Sequence, residues 1–307
     1  MNLETLPVLS LAAPSGNLAQ ALGDSFQHFG FALVSDHGLD PALVARGWDL
    51  TRAFFALPEA EKRRWHVPGG GGQRGYTPFG TEIAKGAAVH DLKEFWHVGR
   101  DGTSDPAMPA NVWPDAPGGF HETFTALYAE FDRIGARILA QIAVWLGLEA
   151  DWFDPAIAGG NSILRLLHYP PIPGDTCGAI RAGAHEDINL ITLLLGAEEA
   201  GLELLTREGR WIPASPPPGA LVVNIGDMLQ RLTNHVLPST THRVRNPDGA
   251  RAGHSRYSMP FFLHLRSDFA IRTLPGCVSA DNPDRYPVPI TADAYLHERL
   301  REIGLSR

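Results

Sequence analysis

The sequence is poor in cysteine, in long apolar runs and in positive charge. Of its 307 residues only Cys177 and Cys277 are cysteines, and their spacing fits neither a disulfide framework nor a CxxC metal site. No stretch of about 20 apolar residues could span a bilayer, and no basic segment followed by an apolar run marks a signal peptide. Because 34 acidic residues outnumber 26 basic ones, nucleic-acid and membrane partners are not expected. We therefore predict a cytoplasmic protein with two reduced thiols.

The chain also lacks internal repeats and a phosphate-binding motif. Four consecutive glycines, Gly69 to Gly72, are not followed by the Gly-Lys-Ser/Thr of a phosphate loop. They predict instead a flexible loop within residues 67–86, close to the functional site.

The first half of the sequence predicts mainly helices. Leu18, Leu22 and Phe26 recur at helical spacing, and residues 30–34 follow as a short buried strand. Asp40 and Pro41 provide a helix cap and a favourable first helical residue. A longer amphipathic helix that ends near residue 147 is predicted from one apolar stripe: Phe124, Leu127, Phe131, Ile134, Ile138, Ile142 and Trp145.

From about residue 162 the pattern changes to short strands separated by turn residues. We predict strands at residues 162–169, 189–195, 202–205, 221–225, 240–245 and 256–265. An Asn-Pro-Asp-Gly turn at residues 246–249 separates the last two. Strands of this length and spacing are typical of a sandwich or a jelly-roll barrel. The sequence therefore predicts a mixed α/β (α+β) protein, with a mainly helical N-terminal half packed on a β-barrel.

A candidate metal site combines His185, Asp187 and His242. His185 and Asp187 lie two residues apart, and on a strand such residues point to the same face. Two imidazoles and one carboxylate can bind one face of a divalent metal and leave the other face open, as in non-haem Fe(II) oxygenases. The same residue types also suit zinc, so the ligands alone do not fix the chemistry.

Four histidines compete for the third ligand position: His235, His242, His254 and His264. A metal ligand needs a rigid mount, and His242 lies in a predicted strand. By contrast, His235 lies in a predicted turn, His254 adjoins a hairpin, and His264 is at the far end of the last strand. We therefore assign His242 as the ligand and expect surface or packing roles for the other three.

Arg256 and Ser258 also share one face of a predicted strand. A guanidinium holds a carboxylate through two hydrogen bonds, and a hydroxyl can add a third. The alternative is that Arg256 pairs with a carboxylate of the protein itself, because an unpaired buried charge is costly. Beside a metal site, the pair favours a ligand that carries a carboxylate.

Short motifs follow one another in a characteristic order along the whole chain. They are LPVLSL at 6–11, FGFALVSDHG at 29–38, FFALP at 54–58 followed by Lys62, RGY at 74–76, DLKEF at 91–95, LRLLHYPP at 164–171, WI at 211–212 and NIGD at 224–227. In this order they resemble the isopenicillin N synthase-like branch of the Fe(II)/2-oxoglutarate-dependent dioxygenases. Ordered agreement of this kind is more specific than any single motif.

The resemblance implies a fold and an activity. The fold is a double-stranded β-helix (jelly-roll) core, and the activity is oxidation of a small molecule by hydroxylation, desaturation or ring closure. Succinate and CO2 are the co-products. The implied cofactors are Fe(II), held by His185, Asp187 and His242, with 2-oxoglutarate and O2, and with ascorbate as an optional reductant.

The resemblance also implies an organisation of the chain. An N-terminal dioxygenase region at 1–115 precedes a supporting helix at 116–150. The Fe(II)/2-oxoglutarate jelly-roll core follows at 151–270, with a C-terminal extension at 271–307. The four regions are expected to fold as one structural unit.

The resemblance further implies a cosubstrate site. Arg256 and Ser258 would hold the distal carboxylate of 2-oxoglutarate, and Tyr169 would donate its hydroxyl to the same carboxylate. The family often has asparagine two residues before this tyrosine, whereas this chain has Leu167. One polar contact to cosubstrate or substrate is therefore expected to be absent.

Five residues are candidates for the substrate pocket, because they lie close to motif residues or in the loop-rich first half: Arg74, Tyr76, Phe79, Leu190 and Phe262. Asn224 and Asp227 either order the barrel strand beneath the site or make its turn, and we favour the turn.

Three alternatives stay open at this point. An oxidase of the isopenicillin N synthase type uses the same ligands without 2-oxoglutarate. A zinc hydrolase suits the three ligands but leaves Arg256 and Ser258 without a role. A non-catalytic metal-binding protein on the same fold is disfavoured by the intact ligand set.

Overall fold

The computed structural model describes residues 5–82, 89–103, 105–172, 176, 178–196, 201–247 and 249–302. Its helices are α1 (Ser15–Phe29), α2 (Pro41–Phe55), α3 (Glu59–Lys62), α4 (Phe120–Trp145), α5 (Asp154–Ile157), α6 (Asp227–Leu232) and α7 (Ala292–Glu302). Its strands are β1 (Val8–Ser10), β2 (Phe31–Ser35), β3 (Gly75–Thr77), β4 (Glu94–Gly99), β5 (Ile163–Tyr169), β6 (Ala182–His185), β7 (Ile191–Leu195), β8 (Leu202–Leu205), β9 (Trp211–Pro213), β10 (Leu221–Ile225), β11 (His242–Val244), β12 (Arg256–Leu263), β13 (Ala270–Ile271) and β14 (Ile290–Thr291).

Two sheets form the β part of the fold, with β13 and β14 as a separate short pair. The larger sheet has the strand order β1-β2-β10-β7-β12-β5-β4-β3, and the smaller has the order β6-β11-β8-β9. Neighbouring strands are antiparallel except β1 and β2. One hydrophobic cluster joins Phe31, Leu33 and Val222 of the larger sheet to Leu204 and Val244 of the smaller. The two sheets therefore pack together as the predicted jelly-roll core.

Helices cover the outer face of the larger sheet. Successive residues of a strand point to opposite faces, so Ala32 and Val34 of β2 face away from the space between the sheets. They belong to a second core that includes residues of α1, α2 and α4. Leu22 of α1 and Phe131 of α4 are fully buried in this core, which confirms the helical faces predicted from apolar spacing.

The ends of the first two helices follow from local sequence. Gly30 ends α1 in the left-handed region, at φ 69°, and its N–H donates to the carbonyl of Phe26. A Cβ at Gly30 would lie 2.2 Å from Thr240 Oγ1, so only glycine fits there. At α2, the Asp40 carboxylate accepts a hydrogen bond of 2.9 Å from the N–H of Ala42, as the predicted cap requires.

Some strands differ from the prediction. Because β6 ends at His185, Asp187 lies after the strand rather than on it. The first half also contains β3 and β4, which extend the larger sheet beside β5 and were not predicted. All six residues of β4 are buried, so no alternation of polar and apolar residues marks it as a strand. The predicted turn at 246–249 includes Asp248, which lies outside the described residues.

The first hundred residues supply both edges of the larger sheet, with β1 and β2 at one edge and β3 and β4 at the other. The region boundaries at 115, 150 and 270 stay predictions. No helix in the described part of the chain has the length and apolarity that crossing a membrane requires, and the cytoplasmic location stays a prediction. Cys277 is buried with a free thiol, while Cys177 lies outside the described residues.

Candidate metal centre and its cavity

The three predicted metal ligands lie next to one another. His185 ends β6 and His242 begins β11, and the register pairs these two residues across the antiparallel strands. The Oδ1 atom of Asp187 lies 3.8 Å from the Nε2 atom of His185 and 3.8 Å from that of His242. These separations are too long for hydrogen bonds. Because one ligand atom from each residue lies within 4.8 Å of the others, the three can share one metal ion.

Hydrogen bonds determine which nitrogen of each imidazole is protonated. The Nδ1 atom of His185 lies 2.7 Å from the carbonyl oxygen of Gly183, and that of His242 lies 3.1 Å from the carbonyl oxygen of Thr240. A carbonyl oxygen only accepts, so each Nδ1 carries the proton and each Nε2 keeps its lone pair. Burial also lowers the pKa of His185 to about 4. The imidazole of His185 is therefore neutral and presents Nε2 as a metal ligand, and the hydrogen bond from Nδ1 of His242 leaves the Nε2 atom of His242 for the same role.

The carboxylate of Asp187 is held through its other oxygen. Its Oδ2 atom accepts hydrogen bonds from Asn224 Nδ2 at 2.8 Å and from Thr192 Oγ1 at 2.5 Å. Burial alone would raise the pKa of Asp187, but the two histidines and these two hydrogen bonds lower it overall. The interpretation of Asn224 as a turn residue is wrong, because Asn224 lies in β10 and orients the carboxylate.

Asp227 was also interpreted as a turn residue, but it is the first residue of α6. Its carboxylate lies 3.0 Å from the guanidinium of Arg299 in α7. Burial raises the pKa of Asp227 to about 6, although Arg299 opposes this effect. Since Arg299 also lines a cavity beside the metal ligands, the ion pair holds the C-terminal helix at the edge of the site.

The other three histidines are not part of the ligand group found among the described residues. His235 has a left-handed backbone, and its Nε2 atom lies 2.6 Å from the hydroxyl of Tyr286. His254 is exposed. His264 is buried beside the same cavity, and burial lowers its pKa to about 4.

The residues predicted to hold the cosubstrate are neighbours on two paired strands. The register of β12 and β5 places Arg256 opposite Tyr169 and Ser258 opposite Leu167. The guanidinium carbon of Arg256 lies 5.0 Å from the centre of the Tyr169 ring, and all four residues are buried. A carboxylate placed there would find one guanidinium and two hydroxyls, with an apolar side chain where the family often has asparagine.

A cavity of about 430 Å³ opens beside the metal ligands. Its wall includes His185 and Asp187, and Phe262 is the one predicted pocket residue on it. Arg74 is buried and donates to backbone carbonyls, and Leu190 packs in the core. These two side chains therefore lie off this wall, because neither a loop-rich segment nor closeness to a motif tells which way a side chain faces.

The remaining two pocket candidates also lie away from this wall. The hydroxyl of Tyr76 donates to the carboxylate of Glu94, which in turn pairs with Lys62 at 2.7 Å. Phe79 is 45% exposed. Tyr76 therefore belongs to a buried polar cluster of the N-terminal half rather than to the cavity.

A cluster of charged side chains on the cavity wall was not predicted. The ammonium of Lys93 lies 2.7 Å from the carboxylate of Glu82 and 2.8 Å from that of Asp91. Arg165 contacts Glu82 at 3.5 Å, and His97 lines the same wall. Lys93 and His97 are an even number of residues apart, but this spacing is informative only once β4 is known to be a strand, which the sequence does not show.

Two packed sheets that carry a His/Asp/His group able to hold a metal define a class of protein, the jelly-roll proteins with a non-haem metal site. A family model described as "non-haem dioxygenase in morphine synthesis N-terminal" matches residues 6–116. A second, described as "2OG-Fe(II) oxygenase superfamily", matches residues 160–265.

Two curated proteins and one solved structure are similar to most of this chain. The "2-oxoglutarate-Fe(II) type oxidoreductase hxnY" of Emericella nidulans is 34% identical over 297 residues, which cover 92% of this chain and 83% of the relative. "Proline hydroxylase buaE" of Petromyces alliaceus is 33% identical over 295 residues and 92% of each chain. A crystal structure assigned to the 2OG-Fe(II) oxygenase family, from Caulobacter crescentus, has a TM-score of 0.91 and 54% identity over 98% of this chain and 99% of its own.

A full-length Neurospora crassa protein, crystallised in complex with alpha-KG and thymine, has a TM-score of 0.87 and 28% identity over 96% of each chain. The chain therefore belongs to the 2OG-Fe(II) oxygenase superfamily. It is a non-haem dioxygenase that uses Fe(II), 2-oxoglutarate and O2, which confirms the predicted family, fold, activity and cofactors. The zinc hydrolase, the oxidase without 2-oxoglutarate and the non-catalytic protein are not favoured by these relatives.

Proposed function

We propose that His185, Asp187 and His242 bind the Fe(II) and that the enzyme oxidises a small molecule in the adjacent cavity. One observation carries this proposal. Hydrogen bonds engage Nδ1 of both imidazoles and Oδ2 of the carboxylate, so the two Nε2 atoms and Oδ1 are left for a metal. Ligands of this kind occupy one face of the ion and leave positions for cosubstrate and dioxygen.

Arg256, Ser258 and Tyr169 are proposed to hold the distal carboxylate of 2-oxoglutarate. The guanidinium provides two parallel hydrogen bonds, and the two hydroxyls donate one each. When bound, Fe(II) and 2-oxoglutarate supply the oxidising chemistry, in which the cosubstrate is cleaved to succinate and CO2. The side chains of this protein position the two groups and keep bulk water out, because all three cosubstrate residues are buried.

Several observations support a small-molecule substrate for this chain. The cavity of about 430 Å³ lies within the range of small-molecule sites. One structural neighbour holds thymine, and one relative is named a proline hydroxylase. We favour hydroxylation as the reaction, since that is the activity named in this relative.

Absorption spectroscopy without oxygen tests the proposed ligands. The metal-free protein is titrated with Fe(II) and then with 2-oxoglutarate, and a weak visible charge-transfer band is expected only when both are present. His242→Ala should abolish the band because one ligand is lost. Arg256→Ala should raise the 2-oxoglutarate concentration for half-maximal absorption about 10-fold or more.

His254→Ala is the matched control, because His254 is exposed and outside the ligand group, and it should leave the band unchanged. A band that survives in His242→Ala would refute the ligand assignment. Iron binding without any band would refute the cosubstrate site and favour an oxidase that does not use 2-oxoglutarate.

A further inference from the structure

One face of β5 connects the cavity with the proposed cosubstrate residues. Residues two apart on a strand share a face, so Arg165, Leu167 and Tyr169 of β5 lie in line. At about 3.3 Å per residue, Arg165 is roughly 13 Å from Tyr169. The register places His97 of β4 opposite Arg165. The row therefore has the proposed cosubstrate residues at one end and Arg165 at the other.

Arg165 is held in position on the cavity wall. Its Nε–H donates to His97 Nε2, and its guanidinium carbon lies 4.2 Å from the ring centre of Phe95 and 5.1 Å from that of Phe262. Burial and the neighbouring Arg165 lower the pKa of His97 well below its ordinary value, so its imidazole stays neutral and accepts. A guanidinium fixed by a hydrogen bond and two ring contacts is already oriented before a ligand arrives.

Arg165 belongs to a group of four charged side chains among the described residues. Lys93 contacts both Glu82 and Asp91, at 2.7 and 2.8 Å, and Arg165 contacts Glu82 at 3.5 Å. Two cations thus face two carboxylates. A substrate anion would compete with Glu82 for Arg165, and Glu82 and Asp91 would then share the single ammonium of Lys93. The buried negative charge would no longer be matched, which is costly. A neutral hydrogen-bond acceptor brings no such conflict.

We infer that Arg165 is a specificity-determining residue that donates a hydrogen bond to the carbonyl oxygen of an uncharged, amide-type substrate. Phe262, which lines the same cavity, forms an apolar wall for the rest of the molecule. Leu167 lies between Arg165 and the cosubstrate residues, so the two ends of the row bind different molecules. This inference rests on the proposed function, because it places the substrate in the cavity beside the metal.

Paired probe compounds test the inference. Thymine and 2-pyrrolidone are uncharged cyclic amides, and orotate and pyroglutamate are their analogues with a carboxylate. Binding is measured by calorimetry without oxygen on protein loaded with Fe(II) and 2-oxoglutarate, and substrate-dependent succinate formation is measured in air. At least one uncharged amide should bind about 10-fold or more tightly than its carboxylated analogue. Arg165→Met should weaken that binding by a similar factor, and Arg165→Lys should restore part of it.

Arg100→Met is the matched control, because Arg100 is a half-buried arginine paired with Asp132 at 3.1 Å and does not line this cavity. It should leave binding unchanged. The charge-transfer band of Fe(II) and 2-oxoglutarate should persist in Arg165→Met, which shows that the variant is folded. Binding unchanged in Arg165→Met, tighter binding of the carboxylated compounds, or no binding of either uncharged amide would overturn the inference. If the unaltered protein shows no charge-transfer band with Fe(II) and 2-oxoglutarate, the proposed metal and cosubstrate site is refuted instead.

Discussion

At the scale of single residues, the carboxylate of Asp187 is held by two side chains outside the proposed ligand group, Thr192 and Asn224. Thr192→Val removes one of the two hydrogen bonds to Oδ2 while keeping the size of the side chain. We expect metal affinity to fall about 10-fold or more, because partners of this kind fix the orientation of a ligand. Titration with Fe(II) without oxygen measures the change.

Thr51→Val is the control for this substitution. Thr51 is also buried, but its hydroxyl donates to the carbonyl of Gly47 within α2. Metal affinity should be unchanged in Thr51→Val. Equal affinity in Thr192→Val and the unaltered protein would show that Asn224 alone holds the carboxylate.

A second residue-scale effect concerns pH. Burial lowers the pKa of His264 from 6.5 to about 4, so between these values the unfolded chain binds a proton that the folded chain does not. Stability present above pH 6.5 is therefore lost as the pH falls towards 4. Between pH 7.5 and pH 5 this loss should be about 1–2 kcal/mol in the free energy of unfolding.

Urea unfolding at the two pH values measures the effect, with His264→Gln expected to show a smaller loss than the unaltered protein. His254→Gln, at an exposed position, should show the same loss as the unaltered protein. An identical pH dependence in His264→Gln would mean that His264 does not contribute to it.

The proposed metal ligands could be found from the sequence because residue type and spacing carry the signal. His185 and Asp187 are two residues apart, and His242 lies in a segment with strand character. Asn224 could not be found in this way, since it lies 37 residues from Asp187. Only the pairing of β10 with β7 brings Asn224 beside Thr192 and the carboxylate, and strand pairing is not visible in a single sequence.

At the scale of elements, the packing of α1 against α4 depends on a glycine. A Cβ at Gly23 would lie 2.1 Å from Trp145 Cγ at the end of α4. Gly23→Ala should therefore lower the free energy of unfolding by about 1–3 kcal/mol through overpacking. Denaturant unfolding measures the change.

Gly16→Ala provides the matched comparison in the same helix. No atom lies within 4 Å of a Cβ built at Gly16, so this change should stabilise by about 0.4–1 kcal/mol, because alanine has less freedom in the unfolded chain. If both substitutions changed the free energy of unfolding in the same direction, the packing seen between α1 and α4 would be contradicted.

Elements with a clear pattern of apolar residues were predicted well. Apolar residues at helical spacing identified α1 and α4, and apolar runs bounded by turns gave β8 and β10 with the bounds seen in the structure. β3 has only three residues, and β4 is buried on both faces. Neither length nor alternation therefore marks these two strands.

At the scale of the whole molecule, the metal and cosubstrate should stabilise the fold. A ligand that binds only the folded state adds about 2.7 kcal/mol at 100 times its dissociation constant. For a chain of this size, that should raise the melting temperature by several degrees. We expect this rise with Mn(II), used as a redox-stable substitute, plus 2-oxoglutarate, and scanning calorimetry measures it.

A chelator should reverse the rise in melting temperature. His185→Ala should show no rise at metal concentrations that saturate the unaltered protein, because one proposed ligand is missing. A rise of the same size in His185→Ala would place the stabilising ion elsewhere in the molecule.

The jelly-roll core could be predicted from strand spacing, but the place of the first hundred residues in it could not. Their strands pair with partners from the second half of the chain, β2 with β10 and β4 with β5. Such long-range pairings depend on which edges of the core stay open once it has formed. A local pattern in the sequence does not contain that information.

Because of the same strand order, β2 is synthesised well before β10, the strand with which it pairs in antiparallel fashion. Leu33 pairs with Val222, so β2 leaves the ribosome long before β10 exists. At about 5–20 residues per second, the wait for the intervening roughly 190 residues is on the order of 10–40 seconds. During this time a strand that is buried in the finished enzyme is carried by the nascent chain without its antiparallel neighbour.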